Sequence, residues 1–251
     1  MGGNEGSKCK YSTRLDVYGK GCQHDCDYCY AKSLLDFRGL WNPEDPAEAN
    51  IDKVRAKIAK LPKDKIVRLG GMTDCFMPKE RQKGLTKETI KALNEAGIGY
   101  LIVTKSSIIS DDDYIDAMDK KLAHIQVTMT TLSDDLYKKL RYEKASLPSH
   151  RLLSIWTLQS WGFDVAIRLS PLIPEYMDFD RLNELGIHKA IVEFLRVNTW
   201  IRKWFKIDYS DYTHHENNYW HLPLEKKIEL LKKIDIPSVS VCEDCTEHYE
   251  Y

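Results

Sequence analysis

Short β-branched runs alternate strictly with amphipathic helical runs along this chain, and no other feature limits the fold as much. Strands are predicted over 13–18, 65–70, 100–104, 124–130, 164–169 and 189–194, with a short seventh over 238–242. Helices are predicted over 31–40, 49–61, 86–96, 133–140, 149–161, 178–185 and 222–234, with one more opening at Ser110. In the second of these, Ile51, Val54, Ile58 and Leu61 fall three and four residues apart, the spacing of one helix face. Thr86 is placed to cap the third and Gly97 lies just past its end. Six or seven βα units of about 30 residues imply a parallel sheet with right-handed crossovers. The expected fold is α/β, a partial (β/α)6 TIM-type barrel with a C-terminal extension; an open doubly wound sheet is the alternative. In either, ligands bind at the C-terminal ends of the strands. No linker or repeat divides the chain. The expected division is a leader over 1–12, the barrel over 13–195, and an aromatic, charged cap over 196–251 in the same domain.

At 43% hydrophobic and 30% charged residues, the composition is that of a globular protein. No apolar run reaches the length of a membrane span, and the polar first seven residues lack the apolar core of a signal peptide. A cytoplasmic protein with no membrane partner is expected. Lys plus Arg is 37 and Asp plus Glu is 38, so nothing global argues for a large nucleic-acid footprint. A nucleic-acid substrate would need a local basic groove.

Three of the seven cysteines lie within eight residues, in Cys22-Gln-His-Asp-Cys26-Asp-Tyr-Cys29. In a cytosolic chain such clustering favours metal binding over disulfides. Thiolates spaced four and three apart suit three corners of a [4Fe–4S] cube and leave the fourth iron without a protein ligand. An open iron lets S-adenosylmethionine chelate through its amino and carboxylate groups, and reduction then releases a 5′-deoxyadenosyl radical. Gly19 and Gly21 give the backbone freedom to curl round such a cluster. His24 and Asp25 fit a capping or solvating role in the loop. A four-cysteine zinc ribbon, made with Cys242 and Cys245, remains an alternative, as do unligated core cysteines.

The loop, placed just after the first strand, resembles the signature of the radical S-adenosylmethionine superfamily. More narrowly, Tyr28-Cys29-Tyr30-Ala31 resembles the spore photoproduct lyase and DNA repair photolyase branch. The likeness runs over 16–178. It includes Gly71-Met-Thr-Asp74, Phe76-Met-Pro-Lys-Glu80, Leu85-Thr86, Thr104-Lys105-Ser106 and Val127-Thr-Met-Thr-Thr131. It continues through Glu143, Pro148-Ser149, Arg151-Leu152 and Arg168-Leu-Ser-Pro-Leu-Ile-Pro174. The resemblance implies Cys22, Cys26 and Cys29 as cluster ligands and Tyr28 near the adenine. It implies Gly70, Gly71 and Thr73 at the methionyl amino group, and Lys105 at the carboxylate or ribose. Thr128 and Thr130 would meet the ribose, and Arg168 the carboxylate. Tyr30 matches a tyrosine used in radical relay. The branch places a hydrogen-donating cysteine before its Thr/Ser-Asp pair; here Cys75 follows Asp74 instead, and is the candidate donor from that shifted place. A flavodoxin- or ferredoxin-type reductant and a lyase-type reaction go with the family.

No family motif matches 195–251. Trp200, Trp204, Tyr209, Tyr212, Tyr219 and Trp220 alternate there with Arg196, Arg202, Lys203 and Lys206. Such a segment suits stacking on a base and clamping its phosphates, gripping a peptide, or packing as a cap. Cys242 and Cys245 suit a second metal, with Cys9 or histidines as further ligands, or a redox pair. Three functions follow: a radical enzyme acting on DNA or a nucleotide, a radical enzyme modifying a peptide or protein, and a non-catalytic zinc-stapled module.

Overall fold

The computed structural model describes residues 13–241. The leader over 1–12, with Cys9, and the pair Cys242 and Cys245 lie outside the described residues.

Seven strands form one sheet in chain order. They are β1 (Arg14–Leu15), β2 (Val67–Leu69), β3 (Tyr100–Thr104), β4 (Ala123–Met129), β5 (Asp164–Leu172), β6 (Lys189–Phe194) and β7 (Ser238–Val241). Every pairing is parallel. An unreversed order is that of a barrel wall and not of a doubly wound sheet, whose order reverses at a switch point. Among the described residues β1 and β7 are not paired, so the barrel is partial and open. The seventh strand comes from the C-terminal extension, where Val239 and Val241 register with Ala190 and Val192.

Strand alternation gives the sheet two unlike faces. Leu15, Val67, Leu69, Ile102, Ile125, Val127, Ile167, Leu169 and Val192 are buried in one continuous core. Helices Ile51–Ile58, Leu85–Ala96 and Pro148–Ser160 add Val54, Ile58, Ile90, Leu93, Leu152, Ile155 and Leu158 to it. The opposite, more polar face carries Arg14, Arg68, Gln126, Thr128, Arg168 and Glu193 beside Leu101, Val103, Ala166 and Ile191; so many charged groups are not what a purely structural barrel interior holds.

Local departures from the sequence expectations have distant causes. The run over 13–18 is cut after Leu15, because the Asp16 side chain takes the Gly71 N–H. Tyr18–Gly19 then pairs antiparallel with Ala47–Glu48. Thr86 is not the helix cap. Gly84, at φ +62°, precedes the helix Leu85–Ala96, and the Glu80 carboxylate receives the Thr86 and Lys87 N–H groups at 2.9 and 3.0 Å. The Thr86 hydroxyl donates instead to the Cys75 carbonyl at 2.6 Å. β5 continues past Leu169 to Leu172, which pairs with Phe194 after a register shift. Beyond β6, the helix Thr199–Trp204, the hairpin His214–Glu216/Tyr219–His221 and the helix Leu224–Leu231 form the extension.

Candidate functional site

The cysteine loop leaves the C-terminal end of β1 and turns tightly. Asp25 N–H donates to the Cys22 carbonyl at 3.0 Å, and Cys29 N–H to the Cys26 carbonyl at 3.2 Å. Gly21 is the glycine that this turn requires: a Cβ there would stand 1.9 Å from the Asn42 carbonyl oxygen, whereas one at Gly19 meets nothing. The segment Tyr142–Glu143–Lys144 grips the loop from outside. Tyr142 O accepts from Asp27 N–H at 2.8 Å, and Lys144 N–H donates to His24 O at 2.6 Å.

All three thiols are free. Cys22 and Cys26 are buried and Cys29 is half-buried. Burial, with Asp74 next, pushes the Cys22 thiol up to about 12. Burial and Glu143 push Cys26 up, and burial pushes Cys29 up against nearby backbone N–H groups and Lys105. Three neighbouring thiols on one loop, held neutral by burial and by one another, are a donor set that a metal centre completes, because a metal ion deprotonates coordinating thiols outright. Among the described residues, no group of three or more His, Cys, Asp or Glu side chains forms a site for a single metal ion. Three cysteine thiols from one loop are nonetheless the donor type that iron–sulfur clusters take.

A buried acid stands on each side of the loop. Glu143 accepts from the Tyr28 hydroxyl and from Arg151, and lies 3.6 Å from Cys26 Sγ. Burial alone would push its carboxyl up, but the Arg151 guanidinium and Lys105 hold it down. Arg151, 1% exposed, also donates to Ser146 O at 2.7 Å and Thr128 O at 3.0 Å. On the other side, Asp74 accepts from Thr104 Oγ1, Lys105 N–H and Phe76 N–H at 2.7–2.8 Å. His24 Nε2 lies 3.1 Å from Asp74 Oδ2, out of line for a hydrogen bond. Burial works against ionisation of Asp74, yet His24 and the two backbone donors hold its carboxyl at about 2. Asp74, Glu80, Glu143 and Arg151 stand within the family-like motifs, and the sequence alone assigns them no role. Their order in the motifs was the only signal, since neither periodicity nor composition marks a buried ion pair.

The predicted cofactor residues fall into two groups. Tyr28, Lys105, Thr128 and Thr130 surround the loop. Lys105 Nζ lies over the Tyr28 ring at 5.5 Å and 3.4 Å from Ser170 O. Thr130 Oγ1 is 2.7 Å from Tyr142 OH. Tyr28 packs with Tyr142 and Phe205 at centroid distances of 5.7 and 5.5 Å. Gly70, Gly71, Thr73, Tyr30 and Arg168 form the second group, nearer the polar face. Gly70 has φ +74°, and a Cβ on it would stand 2.6 Å from Thr73 O. Thr73 Oγ1 donates to Tyr18 O at 2.8 Å, and Tyr30 OH to Gly71 O at 2.7 Å. Arg168 donates to Gln126 at 2.7 Å and to Glu193 at 2.6 Å. Burial opposes ionisation of Glu193, but Arg168 and Arg196 hold its carboxyl at about 2. Cys75 adjoins the second group, with its backbone N 3.5 Å from a Cβ built on Gly70, but its thiol is in the core: it is 1% exposed, with Sγ 3.8 Å from Leu69 O.

The extension roofs one side of the loop. Phe205 joins the aromatic group of Tyr28, Tyr142 and Tyr176. An open cleft of about 450 Å³, lined by Phe37, Asn198, Trp200, Asn217 and Trp220 among others, runs between the helix Tyr30–Asp36 and the hairpin.

Residues 17–184 match the family model described as the radical SAM superfamily. An uncharacterized protein of Methanocaldococcus jannaschii is 27% identical over 179 residues, 69% of this chain and 65% of the relative; the chain thus spans about two thirds of that relative's length. A spore photoproduct lyase variant superposes with a TM-score of 0.70 at 15% identity, over 92% of this chain and 76% of the lyase. A spore photoproduct lyase complexed with dinucleoside spore photoproduct gives 0.68 at 14% identity, over 90% and 74%. Streptococcus suis SuiB bound to its precursor peptide SuiA gives 0.60 at 14% identity, over 93% and 49%. At these identities the solved structures speak to the fold, a radical-enzyme partial barrel. Among the described residues, no helix is long and apolar enough to cross a membrane.

Proposed function

The chain belongs to the radical SAM superfamily, and from that premise we propose an enzyme acting on a nucleic-acid or nucleotide substrate in the manner of a photoproduct lyase. The observation that carries the chemistry is the loop of three free, closely spaced cysteines at the end of β1, facing Lys105 and the Glu143–Arg151 pair. In this reading Cys22, Cys26 and Cys29 hold a [4Fe–4S] cluster. When bound, such a cluster would pass one electron from a flavodoxin- or ferredoxin-type reductant to S-adenosylmethionine, which would break a carbon–sulfur bond to leave methionine and a 5′-deoxyadenosyl radical.

The chain's own residues bind, orient and shield. Lys105 presents its ammonium beside the loop for the carboxylate or ribose of S-adenosylmethionine. Gly70 and Gly71 keep side chains away from the methionyl amino group, with Thr73 beside them. Tyr28 offers an apolar wall for the adenine, and Thr128 and Thr130 line the ribose side. Arg168 is a further carboxylate partner. Tyr30 stands between the loop and Gly71, where a relay residue is needed. Phe205 and Tyr142 exclude water from the Tyr28 side. Cys75 is the candidate hydrogen donor, and a core thiol needs local opening to serve. The dinucleoside ligand of the lyase structures supports the nucleotide reading.

A second reading, a peptide substrate, is favoured by the cleft between Trp200 and Trp220 and by the SuiB likeness. Family membership counts against the non-catalytic zinc module. The test is anaerobic incubation of the reconstituted, reduced chain with S-adenosylmethionine and deuterated thymine-containing DNA. Deuterium in 5′-deoxyadenosine is expected. Cofactor cleavage without label transfer overturns the nucleic-acid substrate. Absence of iron, or Cys26→Ala retaining full iron, overturns the cluster assignment.

A further inference from the structure

The polar face of the sheet holds a pair of arginines that the reaction described above does not use. Arg14 of β1 and Arg68 of β2 are direct register partners on adjacent parallel strands, so their side chains leave the same face side by side. Their strand neighbours Leu15, Val67 and Leu69 are buried in the core, which fixes the arginines on the opposite, lumen-facing side. Both are partly buried.

Two features make this pair costly to the fold itself. Like charges directly opposite each other on a sheet repel. Arg68 Nε is also buried with no hydrogen-bond partner, and a buried donor left unmade destabilises a fold. Neighbouring acids do not relieve the pair. Asp16 Oδ1 accepts from the Gly71 N–H, and Glu193 is shared by Arg168 and Arg196. Among the described residues neither guanidinium of the pair makes an ion pair or a side-chain hydrogen bond.

The pair lies next to the candidate site. A Cβ on Gly71 would stand 2.8 Å from Arg14 Cδ, so the missing side chain leaves the arginine open toward the mouth. The Gly71 carbonyl holds the Tyr30 hydroxyl at 2.7 Å, and Tyr30 directly follows Cys29. Arg196 stacks over the Tyr30 ring at 5.3 Å. A group held between Arg14 and Arg68 is therefore beside the reacting end of the lumen.

We propose that Arg14 and Arg68 form an anion clasp for a phosphate group of the substrate, placed on the polar face beneath Gly71 and Tyr30. The choice of phosphate follows from shape. One guanidinium suffices for a planar carboxylate, whereas two side-by-side guanidiniums match a tetrahedral anion that presents oxygens in more than one direction. The phosphate-bearing substrate class rests on the nucleotide reading given above; the anion site does not.

The test titrates the full-length chain, before and after cluster reconstitution, with inorganic phosphate and with a dithymidine phosphodiester, and reads binding by calorimetry and melting temperature. Phosphate is expected to bind in both forms. Arg68→Met and Arg14→Met should each weaken phosphate binding by about tenfold or more. Each should also raise the melting temperature of the phosphate-free chain by about 2–4 °C, because the repulsion is gone and, in Arg68→Met, the orphan donor as well. Unchanged phosphate binding in both variants overturns the clasp. A fall in melting temperature in both, with binding retained, makes the pair structural and also overturns it. Displacement of phosphate by S-adenosylmethionine assigns the arginines to the cofactor carboxylate and overturns the substrate site. Equal competition by acetate or an acidic peptide overturns the preference for phosphate. If the clasp binds phosphate but DNA yields no label transfer, the nucleic-acid reading fails while the anion site stands.

Discussion

The hydroxyl of Tyr28, inside the cysteine loop, donates to the carboxylate of Glu143, 115 residues further along the chain. The same carboxylate holds Arg151 and lies 3.6 Å from Cys26 Sγ. One buried acid thus ties the loop to the helix Pro148–Ser160, which is itself part of the core under β4 and β5.

Removing one partner of a buried ion pair leaves an uncompensated charge out of water. Arg151→Met is therefore expected to destabilise the protein by about 3–5 kcal/mol. Glu143→Gln should cost less when combined with Arg151→Met than the two single changes predict together, because the double variant leaves no charge behind. Denaturant unfolding of the four proteins checks this. Additive single effects would mean the pair is not coupled.

Asp74 gives a pH dependence with a definite sign. Its carboxyl is held at about 2, below its ordinary 3.8, by His24 and two backbone N–H groups that outweigh burial. A depressed folded value means the stabilisation is complete above the unfolded value and is lost as pH falls toward the folded one. It is worth about 2 kcal/mol. Asp74→Asn should therefore be less stable than the parent by about that amount at neutral pH. The gap should narrow as pH falls from about 5 to about 3. A gap independent of pH would mean that the carboxylate charge contributes nothing.

Gly21 separates close approach from mere flexibility. Alanine at Gly21 would drive a Cβ into the Asn42 carbonyl, 1.9 Å away, while alanine at Gly19 meets nothing within 4 Å. Gly21→Ala should shift the loop and lower iron bound per chain after reconstitution. Gly19→Ala should stay within about 0.5 kcal/mol of the parent in stability. Iron assay and melting curves on the two variants check it. Equal iron in both would mean that the loop tolerates displacement at 21.

The sheet was legible where strands are long and rich in β-branched residues. The spans of β3 and β6 agree residue for residue with the sequence expectation, because Tyr100-Leu-Ile-Val-Thr and Lys189-Ala-Ile-Val-Glu-Phe leave no competing period. The first strand is shorter than its sequence suggests because Asp16 bonds to Gly71, 55 residues away. The cap of the helix Leu85–Ala96 is not legible in the sequence because Glu80 reaches over an intervening turn to serve it. In the site, the cysteines declared themselves by spacing. Glu143, Arg151 and the Arg14–Arg68 pair did not, since a charged residue in a sequence carries no mark of burial, and register between strands is a tertiary fact.

Phe205 tests whether the extension is part of the candidate site's support. It lies in the segment for which no family motif was found, yet its ring meets Tyr28 at 5.5 Å and Tyr142 and Tyr176 at 6.0 Å. It is 2% exposed. Phe205→Ala opens a cavity against three aromatic rings and should cost about 3–5 kcal/mol. Phe205→Leu keeps most of the volume and should recover more than half of that loss. The cavity adjoins Tyr28 and hence the Glu143 link to the loop, so Phe205→Ala should also lower retained iron on dilution, while an exposed-site control, Leu153→Ala at 60% exposure, should not. Unfolding curves and iron retention on the three variants decide it. Loss of stability with iron retention intact would make Phe205 a core residue only, with no part in supporting the loop.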